Sequence, residues 1–277
     1  MSGILYLVAT PIGNLNDMSV RGVETLRQAD FIAAEDTRVT GKLLNRFEIK
    51  KPSVSYHEHN KRASGEAILR RLQAGESCAL VTDAGMPAIS DPGEDLVKLC
   101  AENGVEVIAV PGCCAAVTAL AVSGLPSRRF CFEGFLPMEK RERAERLEAL
   151  KTEQRTSILY EAPHRLMRTL TELHASLGDR ELAVCRELTK LHEETLRMTL
   201  SEAIAHFAST PPKGEFVLVL SGAPEQTGPV VTEAEALGRV RALQEEGLSC
   251  KAACKQVAAE TGMSKNALYA LAVKEQN

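Results

Sequence analysis

Over residues 1–110 the sequence alternates short apolar runs with stretches of helical spacing, and this alternation constrains the fold more than any other feature. The runs at 4–9, 31–35, 53–56, 78–82 and Glu106–Val110 have the length of strands. Between them, 20–29 and 66–73 place apolar residues on one helical face. Strands separated by helices must be joined by crossovers, so a mostly parallel sheet covered on both faces is predicted. The runs are nearly continuous in apolar residues, as burial on both faces requires. The predicted class is α/β.

Pro111-Gly112 ends the last of these runs, and an Ala- and Val-rich helix is expected at 113–123. Gly124-Leu125-Pro126 then breaks the pattern, which sets a first α/β domain at 1–124. The next stretch has strands at Phe130–Phe135, Thr156–Glu161, Glu181–Arg186, 195–199 and 215–220, with an amphipathic helix at 164–177. The short spacer at 190–194 suggests antiparallel pairing, so 125–223 is expected to be a second α/β domain with a mixed sheet. A linker is predicted at 224–229, followed by an all-helical domain at 230–277. There Thr232-Glu-Ala-Glu235 is a capping box, Ser249 caps a second helix, and a turn at 262–264 leads into a third. Helices joined across a glycine turn fit a helix-turn-helix, and they equally fit a plain bundle.

Apolar residues at 44% and charged residues at 25% are the balance of an ordinary globular chain. A net charge of −4 argues against a protein that grips nucleic acid by bulk charge, though not against one local basic patch. No run approaches the roughly 18 apolar residues of a membrane span, and 4–9 lacks the flanks of a secretory signal, so a cytoplasmic protein is expected. The eight cysteines, Cys78, Cys100, Cys113, Cys114, Cys131, Cys185, Cys250 and Cys254, form no C-x-x-C pair. They are expected to be reduced small hydrophobes, with no metal bound.

Ligands of open parallel sheets bind beyond the carboxyl ends of the strands. Here those ends are Thr10-Pro-Ile-Gly-Asn14, Glu35-Asp-Thr-Arg38, Asp83-Ala-Gly-Met-Pro-Ala-Ile-Ser-Asp-Pro-Gly93 and Pro111-Gly112. Such turns let a chain fold back sharply and offer main-chain groups to a ligand. The common dinucleotide and P-loop signatures, G-x-G-x-x-G and G-x-x-x-x-G-K-[ST], are absent.

Four N-domain motifs, Val8-Ala-Thr-Pro-Ile-Gly-Asn14, Ala34-Glu-Asp-Thr-Arg38, Asp83 to Gly93 and Pro111-Gly112, are joined by four later ones. Those are Phe132-Glu-Gly-Phe-Leu-Pro137, Tyr160-Glu-Ala-Pro-His-Arg165, Arg186-Glu-Leu-Thr-Lys190 and Lys213-Gly-Glu-Phe-Val217. In this order they resemble the tetrapyrrole-methylase family, and within it the branch of small-subunit ribosomal RNA methyltransferases. The similarity runs from about residue 4 to residue 222, and the terminal helices match that branch's additional domain.

The resemblance implies two α/β domains around a cleft, S-adenosylmethionine bound in the cleft, and a homodimer. It also implies that the acceptor is a cytidine 2′-hydroxyl in the decoding region of 16S ribosomal RNA, presented in the small ribosomal subunit. Carried over by position, the cofactor contacts are Pro11, Gly13, Asp83, Ala84, Gly85, Met86, Pro87, Ile89, Pro111, Gly112, Ala115 and Ala116, with Tyr160, Ala162, Leu188, Gly214 and Glu215 from the second domain. Tetrapyrrole-acting members carry Gly-Asp-Pro where this chain has Gly85-Met86-Pro87, so backbone contacts are expected there.

Methyl transfer from a sulfonium needs alignment more than it needs a metal, and a ribose hydroxyl must shed a proton. Glu161, His164 and Glu187 are the candidate bases, and Lys190 could lower the hydroxyl's pKa or hold a phosphate. Each has a structural alternative: Glu161 can accept amides at the next helix start, His164 can simply open that helix, and Glu187 can pair with Arg186. Asn14, Arg38, His57, His59, Asn60, Arg165 and Arg186 are the substrate-side candidates. His57-Glu-His59 lacks a third ligand for a metal, and the bases at 140–146 are interleaved with glutamates, as on an exposed helix face. Two rivals stand beside this reading. One is a methylase of a tetrapyrrole or other small molecule on the same fold. The other is a nucleic-acid-binding regulator led by the terminal helices, which would leave the strand-end loops unexplained.

Overall fold

The computed structural model describes residues 2–224, 232–261 and 263–274. The expected linker beyond Pro224, the glycine of the 262–264 turn and the last three residues lie outside the described residues. The chain divides into two compact units, Met1–Ala223 and Pro224–Asn277.

The first unit holds two five-stranded sheets. Strands β1 (Ile4–Val8), β2 (Phe31–Ala34), β3 (Ser53–Ser55), β4 (Cys78–Val81) and β5 (Glu106–Val110) form the first, in the order β3-β2-β4-β1-β5, with every pairing parallel. Helices α1 (Val20–Gln28), α2 (Thr37–Arg46), α3 (Lys61–Gln73) and α4 (Glu94–Glu102) make the crossovers. β2 and β4 are buried throughout, which explains their unbroken apolar sequence. Two apolar clusters serve the sheet, one around Phe31, Leu72 and Leu80, the other around Val8, Leu26 and Ile32. The strands stop a residue earlier than the apolar runs at Ala9, Glu35, Tyr56 and Thr82, because there the chain leaves the ladder to build loops.

β1 and β4 lie side by side, yet the connection from β1 leads toward β2 while that from β4 leads toward β5. Such a divergence opens a crevice at the carboxyl ends of the two strands. The loops after them are tied across it. Thr10 and Gly85 exchange backbone hydrogen bonds of 2.9 and 3.1 Å, and the Thr10 hydroxyl donates to the Thr82 carbonyl.

The second sheet is mixed, as expected, with the order β6 (Phe130–Phe135), β7 (Thr156–Glu161), β10 (Phe216–Leu220), β8 (Glu181–Arg186), β9 (Glu194–Thr199). β6 and β7 are parallel, and β10 runs antiparallel to both of its neighbours. Helices α6 (Lys140–Thr152), α7 (Pro163–Leu177) and α8 (Leu200–Ser209) cover one face through Leu150, Leu166, Leu170 and Phe207. The other face is covered by α5 (Ala115–Ser123), which follows β5 in the chain but packs Ala116, Ala119 and Leu120 against Ile158, Ala183, Val217 and Val219. A helix that serves the second sheet while leaving the first locks the two halves together.

The second unit has its own core. Helices α9 (Glu233–Glu245), α10 (Cys250–Thr261) and α11 (Lys265–Lys274) bury Leu237, Val240, Cys254, Val257 and Leu268 against one another. The Thr232–Glu235 capping box forms. Among the described residues no helix is long and apolar enough to cross a membrane.

Candidate active site

Two edges meet at the site, and the topology decides which residues reach it. In the first sheet all strands run one way, so all the strand-end loops lie along one edge. In the second sheet β10 runs against β7 and β8, which brings its amino end beside their carboxyl ends. Phe216 pairs with both Glu161 and Arg186. Gly214, Glu215 and Phe216 therefore join Tyr160, Glu161 and Leu188 on one rim.

Between the edges lies a cavity of about 390 Å³, a size that encloses a drug-sized ligand. From the first half it is walled by Ile12, Ala84, Gly85, Met86, Ile89, Ser90, Asp91, Cys114 and Ala115. From the second half come Phe135, Tyr160, Glu161, Ala162, Pro163, Cys185, Leu188, Glu215, Phe216 and Val217.

The wall from the first half is a loop that doubles back on itself. Ala88 and Ser90 have φ of 68° and 61°, a region that costs a residue with a Cβ about 1–3 kcal/mol. Gly93, at φ 146°, packs so closely that a Cβ would lie 3.1 Å from that of Ala88. Glu187 and Thr189 on the opposite rim have φ of 51° and 67°. Among the described residues, four of the five non-glycine residues with positive φ thus flank the cavity, and only the folded surroundings hold them there.

Tyr160 braces the other wall. Its ring meets Phe132 and Phe135 edge to face, with centroids 5.0 and 5.7 Å away. Its hydroxyl accepts from the Ala116 amide at 3.1 Å, satisfying a free donor of the first turn of α5. Burial pushes the phenol up to about 12, so it stays neutral.

The candidate bases divide by what they touch. Glu161 is 3% exposed. Its Oε1 accepts from the Ala162 amide at 2.9 Å and lies 3.3 Å from Arg165 Nε, and its Oε2 accepts from the Thr169 hydroxyl at 2.5 Å. Arg143 then binds Thr169 at 2.7 Å and Glu172 at 2.5 Å. This carboxylate anchors the start of α7. Glu187 Oε1 accepts from Lys190 Nζ and from the Glu215 amide, both at 2.9 Å. The hydrogen bond from Lys190 holds its carboxyl below the usual range against the opposing effect of burial. Lys190 also binds Glu215 at 2.8 Å. Burial works against its charge, but the bonds to Glu215 and Glu187 outweigh this and raise its pKa, so it remains a cation. His164 is exposed and outside the cavity wall.

Nine of the expected cofactor residues are on the wall: Ala84, Gly85, Met86, Ile89, Ala115, Tyr160, Ala162, Leu188 and Glu215. Pro11, Gly13, Asp83, Pro87, Pro111, Gly112, Ala116 and Gly214 are not on the wall. A Cβ on Gly13 would lie 2.5 Å from Lys190 Cγ, and one on Gly214 would lie 2.6 Å from Glu187 Cδ. Gly13 lets the first half close on the second, and Gly214 lets the 214–215 turn close on Glu187 within the second. Ser90 and Asp91 escaped the sequence reading although they belong to the 83–93 motif. Phe216 and Val217, within the Lys213–Val217 motif, escaped it as well, whereas Cys114 and Cys185 carried no local signal of a site.

The substrate-side candidates lie further out. His57 and His59 face each other edge to face at 6.0 Å at the end of β3, the outermost strand, and Asn60 accepts from the His57 amide at 2.8 Å. Among the described residues no group of three or more His, Cys, Asp or Glu could hold a metal ion. Arg38 forks onto Asp36 at 2.6 Å with 87% of its side chain exposed. Asn14 caps a short 3-10 turn, Arg165 donates to the Leu136 carbonyl, and Arg186 lies 3.5 Å from Glu194.

A parallel sheet with its loops tied at the switch point, closed over by a mixed sheet, defines a class. The chain belongs to the family of Tetrapyrrole (Corrin/Porphyrin) Methylases, whose model matches residues 4–204. Within it the chain belongs with proteins named ribosomal RNA small subunit methyltransferase I. It is 52% identical to the one from Synechocystis over 98% of each chain, and 47% identical to that of Bacillus subtilis over 96% of this chain and 93% of the relative. The model of that family's C-terminal helix-turn-helix domain matches residues 230–276. Among solved structures, a diphthine synthase is similar at 16% identity and TM-score 0.61, over 79% of this chain and 90% of its own. A Thermus thermophilus uroporphyrin-III C-methyltransferase is similar at 18% and 0.56, over 79% and 97%. At such identities the likeness is one of fold.

Proposed function

We propose that the cavity binds S-adenosylmethionine and that the chain transfers its methyl group to the 2′-hydroxyl of a cytidine ribose in the decoding region of 16S ribosomal RNA. The observation that carries the reading is the cavity itself, set at the sheet's switch point and walled by the 83–93 loop. Its size and mainly apolar wall with a few polar groups suit an adenosyl cofactor. The relatives' name supports small-subunit ribosomal RNA as the class of acceptor.

The cofactor would supply an activated methyl on a sulfonium that leaves as a neutral thioether. The protein's part is to fix the geometry, and alignment of this kind can lower a barrier by several kcal/mol. In this reading Gly85 and Ala84 offer main-chain groups, Ala115 leaves room beside α5, and Tyr160 and Leu188 close the far side. Lys190 stays charged at the rim, where an RNA phosphate would pass. Asn14, Arg38, His57, His59 and Asn60 lie along the same carboxyl edge as the 83–93 loop and are assigned to the RNA side. The assembled small subunit is the proposed substrate, and a cytoplasmic homodimer the proposed acting form. No step calls for a metal.

The test is incorporation of labelled methyl from S-adenosylmethionine into small subunits, bare 16S RNA or a uroporphyrinogen. Label is expected in the subunit RNA, recovered after nuclease digestion as 2′-O-methylcytidine. Label in the porphyrinogen and none in RNA would overturn the proposal.

A further inference from the structure

We propose that Asp91 is the catalytic base of this site, the group that takes the proton from the methyl acceptor's hydroxyl. This rests on the methyl-transfer reading above and adds the residue that the sequence motifs did not single out.

Three acids line the cavity: Asp91, Glu161 and Glu215. A base works best where no cation holds its charge and no network fixes its oxygens, and two of the three are held in this way. Glu161 spends both oxygens on Ala162, Arg165 and Thr169. Glu215 is bridged by Lys190 and its side chain is 79% exposed. Glu187, off the wall, is held by the same lysine. Among the described residues, Asp91 is the cavity acid that no cation bridges. The Thr82 hydroxyl near it donates to Glu35 at 2.7 Å.

The surroundings also give Asp91 the right affinity for a proton. Burial first, then the charges of Glu35 after β2 and Asp83 beside it, push its carboxyl up to about 6, with Thr82 opposing. From the second sheet it faces the neutral phenol of Tyr160. A base works best with a pKa near the working pH, ionised yet still avid. The left-handed backbone at Ala88 and Ser90 turns the loop so that residue 91 lies on the wall, which gives that strain a purpose.

The step balances. The acceptor oxygen bonds to the methyl carbon as the carbon–sulfur bond breaks, and the electron pair stays on sulfur. The hydroxyl proton passes to the Asp91 carboxylate, which later returns it to solvent.

The test uses the full chain carrying Asp91→Asn. S-Adenosylmethionine affinity measured by calorimetry should be unchanged, while the single-turnover rate on small subunits falls by about 10²–10⁴-fold. The wild-type rate should decline below a midpoint near pH 6, and the variant should lose that limb. Glu35→Gln keeps an acceptor for Thr82 but removes a charge, so it should move the limb to lower pH. A readout without ligand follows from linkage: a carboxyl raised on folding adds stability at low pH that is lost as pH rises through about 6. The wild type's melting temperature should show this loss and the Asn variant should not. Asp91→Asn within a few-fold of wild type, or a loss seen wholly as weaker cofactor binding, would overturn the assignment alone. A wild type that methylates no RNA would overturn the underlying reading and the base with it.

Discussion

At the residue scale the site separates groups that hold the wall from groups that face the cavity with nothing to hold. Glu161 is the clearest of the first kind. Its buried carboxylate sits between Arg165 and Thr169, and removing one member of such a network costs about 3–5 kcal/mol by stranding the other. Glu161→Ala is therefore expected to lower unfolding free energy by about 3 kcal/mol in a urea titration. An equally stable variant with abolished turnover would show that Glu161 acts in the chemistry instead. Gly214 belongs to the same class. At φ 91°, with Glu187 Cδ only 2.6 Å from a would-be Cβ, Gly214→Ala should push Glu187 off Lys190. The expected outcome is weaker cofactor binding together with a Glu187 carboxyl whose pKa moves back up, measurable by NMR titration.

At the scale of elements, α5 decides how the halves meet. It leaves the first sheet after Pro111-Gly112, yet its small residues lie flat on the second. Alanines at 115, 116 and 119 set how near the helix approaches, and so the width of the cavity that Ala115 lines. Ala119 is fully buried. Ala119→Leu should overpack this contact, costing about 1–3 kcal/mol in denaturant unfolding and raising the Kd for the cofactor. Unchanged affinity would mean that the wall is set elsewhere. The sequence located this helix and its breaking point at Gly124. It could not show which sheet the helix serves, because Ala- and Val-rich helices are apolar all round and name no partner.

On the scale of the whole molecule, each compact unit has a core of its own. The sheets bury one set of side chains and α9 to α11 another. A chain ending at Ala223 is expected to unfold cooperatively and to bind S-adenosylmethionine with the Kd of the full protein, by calorimetry. Loss of that binding would show that the helical unit completes the site. The net charge of −4 leaves RNA to be held by a few local contacts rather than by bulk attraction.

The sequence by itself determined the parallel sheet, the mixed second sheet, the terminal helices and the strand-end loops, two of which supply wall residues, because periodicity and turn residues are local properties of the chain. The motif containing Asp91 was also visible as a string. What only the tertiary structure decided is which acids are already spent. Glu161 looked like a base until Thr169, eight residues on, and Arg165 closed over it. Asp91 was one position in a loop motif until Glu35 came beside it from the end of β2, with Asp83 of its own loop. A carboxylate's readiness to take a proton depends on its burial and on the charges around it. Some of those neighbours are local in sequence, but Glu35 lies far from Asp91 along the chain, and only folding brings the two together.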